Sequence, residues 1–155
     1  MRLSAVLLAV SLATAAACGG TSTPAPAAPA AEPAAASLYD RLGQQPAIEI
    51  VIDKFLANIV ADARINAFFA GLDGAAVARV RTNLIDQVCA ATGGPCEYKG
   101  KSMKETHTGM NLTDAHFDAI VEDLVHALDD AGVGQTEKDE LLGALGGMRA
   151  DIVGH

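Results

Sequence analysis

Apolar residues recur at three- and four-residue spacing along most of the chain. Ile48, Val51, Ile52, Phe55, Leu56, Ile59 and Val60 form the first such stripe, which gathers side chains on one face of an α-helix. Pro46 suits its first turn, where a missing N–H costs nothing. The stripe breaks at an acidic turn around Asp62, and Phe68-Phe69-Ala70-Gly71 closes the segment. A second stripe runs through Val77, Val80, Leu84, Val88 and Ala91, flanked by Arg79, Arg81, Asn83 and Asp86, and stops at Gly93-Gly94-Pro95. Thr113 can cap a third helix, with Asp114 near its positive end. That helix presents Phe117, Ile120, Val121, Leu124, Val125 and Leu128 before Gly132 and Gly134 stop it. A fourth runs from Thr136 through Leu141, Leu142, Leu145, Met148 and Ile152, and a short leading turn, Leu38 to Leu42, ends at Gly43. No segment alternates with period two, so the predicted fold class is all-α. Two helices, an irregular middle over 93–111 and two more helices stack as crossing antiparallel pairs. An irregular middle of that length is often functional.

The first residues follow a different rule. Met1-Arg2 precedes an uncharged run from Leu3 that ends in Ala15-Ala16-Ala17-Cys18. The run is short of the roughly 18–20 residues that span a bilayer, and it reads as a secretory signal over 1–18. Small residues followed by Cys resemble a bacterial lipobox, which makes Cys18 the expected site of a lipid anchor; simple secretion is the alternative. Gly19 follows in place of the Asp associated with inner-membrane retention. Residues 19–36 hold Pro24, Pro26, Pro29 and Pro33 among alanines. That composition gives an extended spacer and no core. A single domain over 37–155 is expected to remain.

Charge narrows the partners. The chain carries 11 Lys and Arg against 19 Asp and Glu, a formal charge of −8. Nucleic-acid phosphates and anionic lipid surfaces would both be repelled. The absence of tryptophan and an aromatic content of 4% agree with a small helical domain built on Ala, Leu, Val and Ile.

His107 is the informative polar residue. It lies in the irregular middle, with no second histidine or acid at metal-ligand spacing. From the residues alone, two readings stay open: an ordinary loop histidine, or the single protein ligand of a haem iron whose other face is left for a gas.

Further motifs resolve that choice through a resemblance. SLYDRLG at the domain start, ADARINAFFAGLD, and TGGPCEYKGKSMKETHTGMNLTDAHF together resemble the group 1 truncated haemoglobins over essentially the whole domain. The resemblance implies a two-over-two helical sandwich around one haem b, with His107 as the proximal iron ligand and O2 or another diatomic gas as partner. It places Phe55 and Phe69 on the haem, and Tyr98, Met103, Lys104 and Phe117 in the motifs around it. Leu56 takes the position where the family often has the tyrosine that donates to bound O2. Val80 and Leu84 take two distal-helix positions that are often polar, with Gln87 as the remaining polar candidate. Were the helix register shifted, Arg81 or Val77 would line the pocket instead. Loss of the tyrosine donor is expected to weaken O2 retention by about 10-fold.

His116 falls in the first turn of the third helix, on a polar or haem-edge face; His126 is expected to be solvated, and His155 is terminal. No Cys-x-x-Cys-His run exists for covalent haem attachment. Cys89 and Cys96 bracket the GGP turn; after export they are expected to form a disulfide, the alternative being two buried thiols. Lys101 and Lys104 flank the ligand segment, either as haem-propionate partners or as solvated side chains. Three functions follow: a tethered gas-binding globin outside the cytoplasm, an NO dioxygenase or weak peroxidase on the same haem, or a haem-free helical binding lipoprotein.

Overall fold

The computed structural model describes residues 35–155, so the signal over 1–18 and nearly all of the tether over 19–36 lie outside the described residues. Helices α1 (Leu38–Leu42), α2 (Gln44–Ala61), α3 (Gly74–Ala91), α4 (Met103–His107), α5 (Asp114–Asp130), α6 (Gln135–Gly146) and α7 (Arg149–Ile152) follow in order, with a 3-10 turn at Asn66–Phe68. Among the described residues there is no strand, as the absence of period-two alternation requires.

Helix α2 is the centre. It buries Ile48, Val51, Ile52, Phe55 and Ile59 and packs against α5 on one side and α3 on the other. Each fully buried aliphatic chain contributes roughly 1.5–3 kcal/mol relative to exposure, so this one face accounts for much of the core. Helix α5 supplies the opposing Leu124, Ala127 and Leu128, α6 adds Leu141, and α4 lies against α7.

Local chemistry sets the ends. Ser37 caps α1, Asp73 caps α3 by accepting from the Ala76 N–H at 2.7 Å, and Thr113 caps α5. The close of α3 is the most constrained. Thr92 Oγ1 donates to the Val88 carbonyl at 2.7 Å, Gly93 takes φ +84, and the Gly94 N–H donates to the Cys89 carbonyl at 2.8 Å. A Cβ on Gly94 would lie 2.6 Å from both Cys89 Sγ and the Tyr39 ring. Cys89 and Cys96 are joined as a disulfide with Cα atoms 5.7 Å apart, which removes the free-thiol alternative and ties the end of α3 to the segment leading toward α4.

Three expectations need correction. The middle is not wholly irregular: Met103–His107 forms a helical turn, because Ser102 and Glu105 make a reciprocal capping box. The fourth helix does not run unbroken to Ile152; Gly146 and Gly147 end α6, and α7 resumes at Arg149. On α3, Val77 is exposed, and the buried face runs through Ile85, Val88 and Cys89.

Candidate functional site

The helices enclose a cavity of about 390 Å³, within the range of small-molecule and cofactor pockets. Its walls come from four directions. Helix α2 contributes Ile52, Phe55 and Ile59; α3 contributes Val80, Asn83, Leu84, Gln87 and Val88; α4 contributes Met103, Thr106 and His107; and α5 contributes His116, Phe117 and Ile120 with its next turn. Phe68 and Phe69 close one edge, and Leu142, Leu145, Met148 and Ile152 close the far side. Among the described residues, no lysine or arginine lines it.

His107 is half-buried at the C-terminal end of α4, and its Nδ1 lies 2.7 Å from the Met103 carbonyl oxygen. A carbonyl can only accept, so Nδ1 carries the proton and the neutral ring keeps its lone pair on Nε2. A backbone partner of this kind fixes the tautomer and orientation of a metal-ligating imidazole. The capping box sets the geometry in turn. Ser102 Oγ accepts from the Glu105 N–H at 3.2 Å, the Glu105 carboxylate accepts from the Ser102 N–H at 3.0 Å, and the helical turn so formed brings the Met103 carbonyl beneath the ring of residue 107. Among the described residues no group of three or more His, Cys, Asp or Glu could hold a metal ion. His107 therefore offers a single-ligand site.

The opposite wall is different in kind. Val80 and Leu84 present only hydrocarbon to the cavity. Gln87 reaches the cavity, but its amide Nε2 donates toward Met148 Sδ at 3.1 Å and Met103 Sδ at 3.4 Å. It lines the cavity as the polar candidate on α3, and through these contacts it bridges α3, α4 and the segment before α7. Arg81 and Val77, the alternatives under a shifted register, do not line the cavity; Arg81 pairs with Asp53 at 2.5 Å.

Phe55, Phe69, Val80, Leu84, Gln87, Tyr98, Met103, His107 and Phe117 all line the one cavity. Leu56 and Lys104 do not. Residues 52, 55 and 59 face the cavity, and each residue turns the helix about 100°, so Leu56 falls on the flank, partly buried against the core. Lys104 is exposed on the outer face of α4, where its carbonyl accepts from Thr108 Oγ1 at 2.6 Å; Lys101 is also exposed and off the wall. Tyr98 turns its hydroxyl to donate to the Lys101 carbonyl at 2.8 Å. Its ring is packed so close to Gly100 that a Cβ there would lie 2.3 Å from the phenol oxygen, which accounts for the glycine of the Tyr-Lys-Gly motif. Burial raises the Tyr98 pKa above its ordinary value. The α6 and α7 contributions, Leu145, Met148 and Ile152, were visible in the sequence only as helix-stripe residues.

An all-helical domain whose packed helices line a largely apolar cavity, with His107 Nε2 available in its wall, defines a cofactor-binding helical protein. Comparison with known proteins takes this further. Residues 37–153 match the model of the family described as bacterial-like globin. The chain is 36% identical over 122 residues to a group 1 truncated hemoglobin of Mycolicibacterium paratuberculosis, covering 79% of this chain and 86% of that protein. It is 36% identical over 117 residues to one from Nostoc, covering 76% and 97%. Two crystal structures superpose well. The truncated hemoglobin of Tetrahymena pyriformis in its Fe(III) form has a TM-score of 0.73 at 33% identity, covering 77% of this chain and 100% of that one. The 2/2 hemoglobin of Synechococcus, in a cyanomet state with covalently attached heme, has a TM-score of 0.71 at 35% identity and the same coverage. The chain belongs to the bacterial-like globin family, among the group 1 truncated haemoglobins. Membership sets aside the haem-free alternative, and a largely apolar cavity with the His107 imidazole in its wall fits a haem.

Proposed function

We propose that this cavity would hold haem b through His107 Nε2 and that the protein binds a diatomic gas reversibly. The observation that carries this reading is the hydrogen bond from His107 Nδ1–H to the Met103 carbonyl at 2.7 Å, which leaves a lone pair on the nitrogen free to ligate. The haem iron supplies the bond to the gas. The chain's own residues do the rest: α4 orients the imidazole, Phe69 and Phe117 contribute apolar surface, and Val80 and Leu84 keep water from the distal side. Leu56, whichever way its side chain turns, supplies no donor where related globins frequently carry tyrosine. O2 retention is therefore weak and CO binding little affected. Stopped-flow and flash-photolysis measurements on the ferrous protein test this. Fast O2 release with ordinary CO binding is the expected outcome, and slow O2 release would show that a donor reaches the ligand.

Export and anchoring through Cys18 complete the proposal. They rest on the apolar run and lipobox-like end over 1–18, and on the Cys89–Cys96 bond, since disulfides persist chiefly in oxidising compartments. No helix among the described residues is long and apolar enough to cross a membrane. Mass spectrometry of the mature N-terminus checks it. A diacylglyceryl adduct on Cys18 is expected, and an intact Met1 would exclude processing.

A further inference from the structure

Three of the cavity's polar side chains are committed to the protein. Gln87 is spent on two sulfurs, Tyr98 on the Lys101 carbonyl, and His107 Nδ1 on the Met103 carbonyl. His116 differs from them. It occupies the third position of α5, where a capping box usually has Glu or Gln. There its Nδ1 accepts from the Thr113 N–H at 3.2 Å, while its own N–H donates to Thr113 Oγ1 at 3.4 Å. An N–H pointing at Nδ1 requires a lone pair on that nitrogen, so the ring proton sits on Nε2. This is the reverse of His107. The ring is held edge-on to Phe68, with centroids 5.0 Å apart, and it lines the cavity. Among the described residues no acceptor engages Nε2.

A haem brings two carboxylates to a cavity whose lining, among the described residues, contains no lysine or arginine. We propose that His116 donates its Nε2–H to a haem propionate and so holds that carboxylate at the α5 edge of the cavity. The proposal rests on haem being the occupant. A hydrogen bond to an ionised acceptor is shorter and roughly twice as strong as a neutral one. His116 is thus a positioning residue for the cofactor, with its donor preset by the cap of α5.

The test is the rate at which the full chain, loaded with haem b or with its dimethyl ester, gives the group up to an excess of apomyoglobin. His116→Glu preserves the capping box, because glutamate is its usual third-position partner, but it replaces the donor by a like charge. His116→Gln preserves both the cap and a donor. His116→Glu is expected to lose haem b at least about 10-fold faster than wild type, and His116→Gln to stay near the wild-type rate. With the diester all three proteins should lose the group at similar rates. Unchanged loss of haem b from His116→Glu overturns the proposal, as does an equal acceleration with the diester. A wild-type chain that takes up neither porphyrin shows no Soret band, which overturns the haem reading itself and with it this proposal.

Discussion

The α4 and α3 walls of the cavity are built on opposite principles. On α4, each polar atom around the imidazole is assigned: Ser102 and Glu105 shape the turn, Met103 takes the Nδ1 proton, and His107 Nε2 is left with its lone pair. On α3, Val80 and Leu84 offer no donor, and Gln87 turns its amide to methionine sulfurs. One wall fixes the imidazole, and the other is largely hydrocarbon, interrupted by the amides of Asn83 and Gln87. On the proposed reading, the iron is held by directional chemistry while the gas is held by little beyond the iron.

The largest expected effect concerns the junction between the two walls. The Cys89–Cys96 bond joins the end of α3 to the segment carrying Tyr98. On the loop-entropy model, closing so short a loop stabilises the fold by about 2 kcal/mol. Urea unfolding of the double variant Cys89→Ser/Cys96→Ser should show a loss of that size, and an unchanged midpoint would mean the junction is held by Gly94 and Thr92 alone. Next in size is a donor placed on the bare wall. Leu84→Gln should slow O2 release by about 10-fold, equivalent to about 1.4 kcal/mol, with a smaller change for CO. Equal effects on both gases would show a steric cause and no hydrogen bond.

A third, smaller effect should touch neither wall. Asp123 is buried on α5, away from the cavity lining, and its Oδ2 has no partner among the described residues. Burial, with Asp62 nearby, raises its pKa above the ordinary value of 3.8. The folded state therefore keeps this proton at pH values where the unfolded chain has lost it. The contribution favours folding in acid and fades as pH rises through the raised value. Asp123→Asn should flatten that decline and gain a little stability near neutrality, with gas kinetics unchanged. A decline identical to wild type would assign it to another group.

The differences between the walls also explain what the sequence could disclose. Helices α2, α3 and α5 are long enough for their apolar stripes to mark the type of all three and the face of α2 and α5, while on α3 the buried face is rotated to Ile85, Val88 and Cys89; Thr113 and Gly93 mark the limits as read. Helix α4 is five residues long and too short for a stripe; its one local signal is Ser102 with Glu105 three residues on. The motif resemblance pointed to His107, but its tautomer depends on a helical turn that periodicity does not register. Leu56 was assigned by position in a motif, and the rotation of α2 puts it beside the cavity wall. Leu145 reaches the cavity from the end of α6, and Met148 and Ile152 from beyond the Gly146-Gly147 break, where α7 lies against α4. Arg149 then locks the break, pairing with Asp114 at 2.6 Å and Asp118 at 2.8 Å and stacking over Phe117 at 4.8 Å. His116 was noticed as a haem-edge candidate, but its place in a capping box, and hence its proton, comes from geometry.

The central claim is that His107 Nε2 is the protein's bond to iron. The ferrous, gas-free absorption spectrum of haem-loaded wild type and His107→Gly, each with and without added imidazole, tests it directly. Wild type should show a five-coordinate histidine-ligated spectrum; His107→Gly should lose it and regain it when imidazole enters the vacated space. A His107→Gly spectrum identical to wild type without imidazole would place the iron ligand elsewhere and contradict the account.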